Sequence, residues 1–270
     1  LVFIENGQTY KANLSYTPND DTLFYAQWSE GFRLGFGQFV PPAATCDVDN
    51  DGILDGTVAP FKDSYDSDTT ENYEVGAKLT MLDNRLQINT AIYRVNWSDI
   101  PLFVFSSACN RGVTVNASEA RSQGLEVETI YQHNAQLQLK LGVSYNKSEL
   151  VKDSLAVGND GDRLPSSPEY TVNLGLQYDQ ELWGYDTFMA VDYAHVGNFY
   201  NRVGEQGIEG GDYGQLNMSA GVIFNRFSVD LFGHNLTNED AITLADTIVP
   251  DQRVYRLRPR TIGFNIGYRF

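Results

Sequence analysis

The chain has 270 residues, 42% of them hydrophobic and 13% aromatic, with 24 glycines and 9 prolines. Its 16 tyrosines and 15 phenylalanines exclude a disordered chain, and the modest glycine and proline content excludes collagen. The net charge of −16, from 35 acidic against 19 basic residues, argues against nucleic acid as a partner, because phosphate binding needs the opposite sign.

Period-two alternation dominates, and no stretch of useful length carries a helical period. It predicts eleven strands, at about 10–17, 22–37, 70–82, 85–100, 114–132, 135–148, 168–180, 185–196, 212–224, 227–235 and 258–270. The rhythm is plainest in 135–148, where Leu137, Leu139, Leu141, Val143 and Tyr145 interleave with Gln136, Gln138, Lys140, Gly142, Ser144 and Asn146. It recurs at the end of the chain in Ile262, Phe264, Ile266, Tyr268 and Phe270. Each such strand has one apolar and one polar face. Strands 22–37 and 85–100 instead carry apolar residues in both phases (Leu23/Phe24, Ile92/Tyr93), which predicts bulges.

The connections set the fold class. Short turns at Pro18–Asp21, Asp83–Asn84, His133–Asn134, Glu181–Gly184 and Asn225–Arg226 alternate with long segments at 38–69, 101–113, 149–167, 197–211 and 236–257. That asymmetry is characteristic of an all-β, antiparallel transmembrane barrel. A mean hydropathy of −0.33 is compatible with it, since only every second residue meets lipid. A helical membrane protein is excluded, because the longest clean apolar run is Ile100–Phe105, far short of the roughly 18 residues needed. A soluble sandwich needs neither the loop asymmetry nor aromatics bracketing the apolar stretches, as Tyr73, Tyr170 and Tyr178 do. Bacterial barrels have even strand numbers, so about eleven strands predict a piece of a larger one. Beginning at Leu1 without a signal peptide, the chain is read as a fragment or processed product.

Six segments then point to one family. Ser29–Gly35 (SEGFRLG) resembles the strand end "SxGFRxG" of TonB-dependent outer-membrane receptors, and Glu71–Lys78 (ENYEVGAK) their "ExYExGxK" strand. Ala91–Ile100 (AIYRVNWSDI) is similar to "AxFxxxxxDI", and Asn116–Glu128 to "NxGxAxSxGxExE", with Ser118 in place of the first glycine. Asn235–Asn238 (NLTN) matches the "NLxN/D" step, and Pro259–Phe270 resembles the terminal "PRxxxxxxxxxF" strand. The resemblance implies a 22-stranded plugged barrel, of which residues 1–270 are the C-terminal half, with the plug domain and first half-barrel elsewhere. It further implies location in the bacterial outer membrane, contact with its lipid, and uptake of a scarce small molecule, foremost a ferric siderophore, energised by TonB through the plug region. An outer-membrane lipase or protease, or a passive porin, is the alternative. Haem is disfavoured, since Phe32-Arg33-Leu34-Gly35 departs from the haem receptors' "FRAP" and no "NPNL" is present.

No catalytic constellation stands out, and none is expected. His133, His195 and His234 fall at turns or strand ends, and Glu126 and Glu128 share one strand face that would line a polar lumen. The sharpest local signal is Asp47-Val48-Asp49-Asn50-Asp51-Gly52-Ile53-Leu54-Asp55. Carboxylates at positions 1, 3, 5 and 9 with glycine at 6 reproduce the start of a calcium loop, so Asp47, Asp49, Asp51 and Asp55 are candidate ligands for a structural Ca²⁺. Position 12 is Val58 where a bidentate Glu is usual, leaving Asp63, Asp66 or Asp68 to close the site. A solvated acidic loop is the alternative reading, for 38–72 holds eight acidic residues and one basic, Lys62. Cys46 and Cys109 lie in neighbouring long loops facing an oxidising exterior, and are expected to form a disulfide. Loop aromatics, Phe39, Phe61 and Tyr65 first among them, are candidates to contact the ligand.

Overall fold

The structure, a computed structural model, describes residues 7–116, 119–154, 157–246 and 253–270. Ala117 and Ser118, within the fourth family-like segment, lie outside them. Eleven strands form one sheet in chain order, each antiparallel to the next. They are β1 (Lys11–Asn19), β2 (Thr22–Arg33), β3 (Asp68–Met81), β4 (Leu86–Ser98), β5 (Glu119–Gln132) and β6 (Leu137–Leu150). Then come β7 (Tyr170–Leu182), β8 (Tyr185–Val196), β9 (Tyr213–Phe224), β10 (Phe227–His234) and β11 (Thr261–Tyr268). Two predicted bounds need correction. The second strand ends at Arg33, after which Phe36–Gly37 pairs with Ser64–Tyr65 outside the sheet. The 114–132 strand is two pieces, since Arg111–Asn116 pairs with Pro101–Ser106 as a separate hairpin.

The predicted bulge in β4 is absent, whereas the β1–β2 ladder has one register shift, between Tyr16↔Phe24 and Asn19↔Thr22, opposite Leu23. β2 pairs with β3 without a shift from Thr22↔Leu79 to Arg33↔Asp68, and β4 pairs with β3 and β5 equally evenly. Away from that shift, the aromatics on the polar face are tyrosines whose hydroxyls find polar partners there. Tyr25 donates to Glu74 at 2.7 Å, and Tyr93 to Asn146 at 3.2 Å. Both rings lie over glycines on the adjoining strand. A Cβ on Gly76 would stand 2.5 Å from the Tyr25 ring, and one on Gly124 would stand 2.7 Å from the Tyr93 hydroxyl.

Directly paired residues share a face, so the register assigns every side chain. One face carries Leu139, paired with Tyr131 and Leu176, and Leu141, paired with Leu174. Its large apolar side chains stand in the open: Ile262, Phe264 and Ile266 are 65%, 69% and 66% exposed. So wide an apolar surface needs lipid against it. At the short-turn end it finishes in a run of rings, Tyr185–Phe224–Phe227–Tyr268–Phe270, with centroids 4.9–6.2 Å apart. Such aromatic girdles mark the membrane–water boundary. The opposite face holds Gln138, Lys140, Ser144, Asn146, Glu126 and Glu128.

The buried cores among the described residues lie in the loops and at the long-loop end of the sheet. One comprises Cys46, Leu54, Ala59, Val113 and Val115, all from the 38–63 and 99–116 segments. The other joins Ile100, Ala120 and Leu150, where Trp97, Leu102, Val157, Leu164 and Val203 pack over the sheet's long-loop end.

The face assignment has a direct test. Leu139→Arg should cost about 2–4 kcal/mol in the mid-membrane, whereas Gln138→Arg, next along β6, should cost under about 1 kcal/mol. Urea unfolding of the receptor in lipid vesicles measures both; equal costs would contradict the assignment.

Candidate functional site: the loop unit above the sheet

Segment 38–63 has few residues in regular ladders and 99–116 has only its own hairpin, so side chains complete the backbone bonding between them. Gln38 does this for the 101–116 hairpin: its Nε2 donates to the Thr114 carbonyl at 2.8 Å, and its Oε1 accepts from Thr114 N–H at 2.6 Å. Its own backbone N–H donates to Asp63 O at 2.7 Å. Asn116 works likewise, accepting from Asp66 N–H at 2.8 Å and donating to the carbonyls of Asp66 and Asp99 at 3.0 and 2.7 Å. Cys46 and Cys109 are joined as a disulfide, with Cα atoms 5.3 Å apart across 63 residues of chain. Ser106 is buried and donates its hydroxyl to Asp55 O.

The short helix Ala43–Cys46 leads into the aspartate loop. Asn50 and Gly52 adopt positive φ, 57° and 78°, and turn the chain back on itself. Asp47, Asp49 and Asp51 are thereby gathered, with carboxylate oxygens within 4.8 Å of one another. Asp47 is buried, and its neighbours are exposed. Asp55 does not join them; its Oδ2 accepts from Val48 N–H at 3.2 Å and ties the base of the loop. Asp68 is not free to close the group either. It is 3% exposed, grips Arg33 at 2.6 Å, accepts from Trp97 Nε1, and lies beneath an Arg33 guanidinium stacked 5.1 Å over the Trp97 ring.

The expected ligand-contacting aromatics divide. Phe39 is 85% exposed and sits beside the pinned Gln38. Phe61 packs against the loop core, and Tyr65 lies beside Phe36 with ring centroids 6.4 Å apart. Phe103, on the hairpin, is exposed.

A second cluster of loops forms around Arg163, which the sequence reading passed over. Its guanidinium donates to the carbonyls of Asn198 and Ser167 at 3.0 and 3.3 Å and to Glu205 at 3.4 Å, and it lies 5.9 Å over the Tyr200 ring. Partial burial, and then the nearby carboxylates of Glu209 and Glu205, push the Tyr200 hydroxyl above its ordinary range. Asn235 is buried at the next loop and donates to the carbonyls of Glu239 and Arg258, both at 2.9 Å, which gives the NLTN step its physical role. Arg33, Asn116 and Asn235 all lay within family-like segments, so motif membership was the available signal for them. Gln38 and Arg163 had none.

The histidines make no catalytic grouping among the described residues. His133 lies 3.4 Å from the Tyr131 hydroxyl, His195 stacks on Tyr170, and His234 lies beside Phe232.

Comparison with known proteins agrees with this architecture. The chain is 31% identical over 133 residues to the metal-pseudopaline receptor CntO of Pseudomonas aeruginosa, a match covering 48% of the chain and 18% of that receptor. In structure it resembles the ferric yersiniabactin uptake receptor FyuA of Yersinia pestis, with a TM-score of 0.77 and 19% identity over 96% of the chain and 37% of FyuA. It also resembles the ferric preacinetobactin receptor BauA of Acinetobacter baumannii, with a TM-score of 0.70 and 18% identity over 96% of the chain and 36% of BauA. The chain thus spans well under half the length of each of these relatives. The family model for the TonB-dependent receptor-like β-barrel matches residues 3–236, and the chain belongs to that family of outer-membrane transport receptors, which are not enzymes.

Proposed function

We propose that this chain forms part of the wall, and two of the ligand-facing loop clusters, of a 22-stranded receptor that imports a metal-bound small-molecule chelate. A ferric siderophore is the foremost candidate, with energy drawn from TonB. The observation that carries this reading is the loop unit itself. A diffusion pore gains nothing from a disulfide-joined, side-chain-pinned platform, whereas a receptor needs a fixed surface on which to capture a dilute ligand. The relatives named above are receptors for metal-pseudopaline, ferric yersiniabactin and ferric preacinetobactin. Exposed Phe39 and Phe103 supply flat apolar surface for the organic part of such a chelate. The acidic first loop disfavours a strongly anionic ligand, since like charges repel. In an iron-restricted host, deleting the full-length receptor should abolish uptake of its radiolabelled ferric chelate, and loss of TonB should do the same. Uptake that persists without TonB would instead identify a passive pore.

The aspartate loop fits a structural role for Ca²⁺. Three carboxylates within 4.8 Å repel one another, and a divalent cation relieves this through contacts of about 2.3–2.6 Å. With Asp55 and Asp68 committed elsewhere, the protein supplies few ligands, and affinity should fall at about 10⁻⁴–10⁻³ M. Calorimetry on the receptor should register calcium binding that Asp49→Ala/Asp51→Ala abolishes. Heat unchanged by the double substitution would show the spacing to be a coincidence of an acidic loop.

The disulfide closes a long stretch of chain, so its loss should loosen the loop unit more than the sheet. In the chain-entropy account, a bridge across 63 residues is worth about 4 kcal/mol. Cys46→Ser/Cys109→Ser should therefore speed amide exchange at Leu54, Val113 and Val115 by about 10²–10³-fold while leaving β6 and β7 unchanged. Uniform protection in both forms would show that packing alone holds the unit.

A further inference from the structure

Where the first long loop leaves the sheet, β2 and β3 end on the pair Arg33↔Asp68. Alternation along β2 and β4 puts Arg33 and Trp97 on the polar face, with Tyr25 and Tyr93. The two charges of the pair are unequally placed: the Asp68 side chain is 4% exposed and that of Arg33 60%. Asp68 accepts from Arg33 Nε at 3.0 and 3.1 Å, from Nη2 at 2.6 Å, and from Trp97 Nε1. Trp97 in turn packs against the core of Ile100, Ala120 and Leu150, so the ring beneath the Arg33 guanidinium is itself fixed.

A guanidinium carries its N–H donors in a rigid planar fork. Asp68 takes the edge formed by Nε and one Nη2 hydrogen. The donors of Nη1 and the second on Nη2 face the other way and meet no acceptor among the described residues. A free arginine loses much side-chain freedom when it meets a ligand, but here the ion pair and the stacking have already removed it. Asp68 also cancels the charge, so the pair offers directed donors with no net charge. Aromatic surface adjoins them: Phe36, three residues on, is 58% exposed and pairs with Tyr65. Gly35 between them runs so close to the Tyr65 carbonyl that a Cβ there would overlap it.

We infer that Arg33 reads the imported chelate: its free guanidinium edge donates to carbonyl-type oxygens, amide or hydroxamate, of a chelate without net negative charge, and Asp68 is the residue that positions it. This rests on the import reading above and names the class of chelate. Residues 34–67, directly over the pair, hold six acidic side chains and one basic, so a strongly anionic chelate is repelled before it arrives. An unpaired arginine would offset that repulsion, but one neutralised by Asp68 does not. A neutral chelate meets no repulsion and still gains charge-assisted hydrogen bonds, which are stronger than neutral ones.

The test uses the full-length receptor in outer-membrane vesicles. Its probe is the radioiron-labelled chelate pool from spent medium of the iron-restricted host, split on an anion exchanger into retained and unretained fractions. Wild type should bind label from the unretained fraction, and Arg33→Gln should bind it about 10–100-fold more weakly, the worth of hydrogen bonds from a charged donor. Arg33→Lys keeps the charge but not the flat fork, and should be weakened as well. Asp68→Asn should weaken binding in the presence of Arg33 and add nothing to Arg33→Gln, which a general loosening of the loop would not reproduce. Arg94→Gln, one residue along β4 from Tyr93 and so on the opposite face, should bind as wild type. Amide exchange at Leu54, Val113 and Val115 should be unchanged in Arg33→Gln. Undiminished binding by Arg33→Gln or Arg33→Lys, or wild-type binding from the retained fraction alone, would overturn the inference and leave the import reading standing. Weaker binding accompanied by fast exchange at those three amides would make Arg33 a structural prop, and would overturn it too. A wild-type receptor that binds label from neither fraction would overturn both readings.

Discussion

A backbone that crosses hydrocarbon must find every hydrogen-bond partner within the protein, and this constraint shapes the rest of the molecule. The β3–β4 and β4–β5 ladders answer it with thirteen consecutive pairs each and no shift. An unbroken ladder leaves side chains no choice of face. Aromatics in the second phase are residues tolerable in a polar interior, Tyr25 and Tyr93, each of which carries its own hydroxyl donor. Room for their rings came from the neighbouring strand, as glycine at positions 76 and 124.

The same constraint moves the protein's own packing elsewhere. Apolar surface turned toward lipid makes no core, so the sheet's outer residues remain exposed within the chain while the water-facing loops build theirs. These cores are small, and the loops make up the difference with single side chains that act as backbone substitutes. Gln38, Asn116 and Asn235 each bond two or more main-chain groups. Such amides are costly to remove, the buried Asn235 most of all, because their loss leaves several polar groups unpaired at once.

The sheet was legible in the sequence and the loops were not, for one reason. In β6 the alternation of Leu137, Leu139 and Leu141 with Gln138 and Lys140 is imposed by the two solvents on either side, so composition reports geometry directly. Nothing comparable acts on the loops. Residues 101–113 of the hairpin read as connection because Pro101–Phe105 is apolar in both phases, being partly packed on other loops. Arg163 carried no local signal, since its partners Ser167, Asn198 and Glu205 are brought together only by the fold. The aspartate loop lies between these cases. Its spacing singled out Asp47, Asp49 and Asp51, whose carboxylate oxygens lie within 4.8 Å of one another, but not the turn of Asp55 to Val48 N–H or the engagement of Asp68 by Arg33.

How the loops hold their aromatics bears on recognition. Exposed aromatic side chains on a mobile loop must be ordered when a ligand arrives, and that loss of freedom subtracts from affinity. Here the ordering is done beforehand. Phe39 follows a glutamine whose side chain and backbone are both bonded, Tyr65 rests against Phe36 just before a residue held by Asn116, and the disulfide joins their segment to the hairpin bearing Phe103. A capture surface for a scarce ligand works at low concentration, where affinity lost to ordering is lost uptake. A loop unit with its own core, its own covalent staple and side-chain-bonded backbone fits the proposed function of capture.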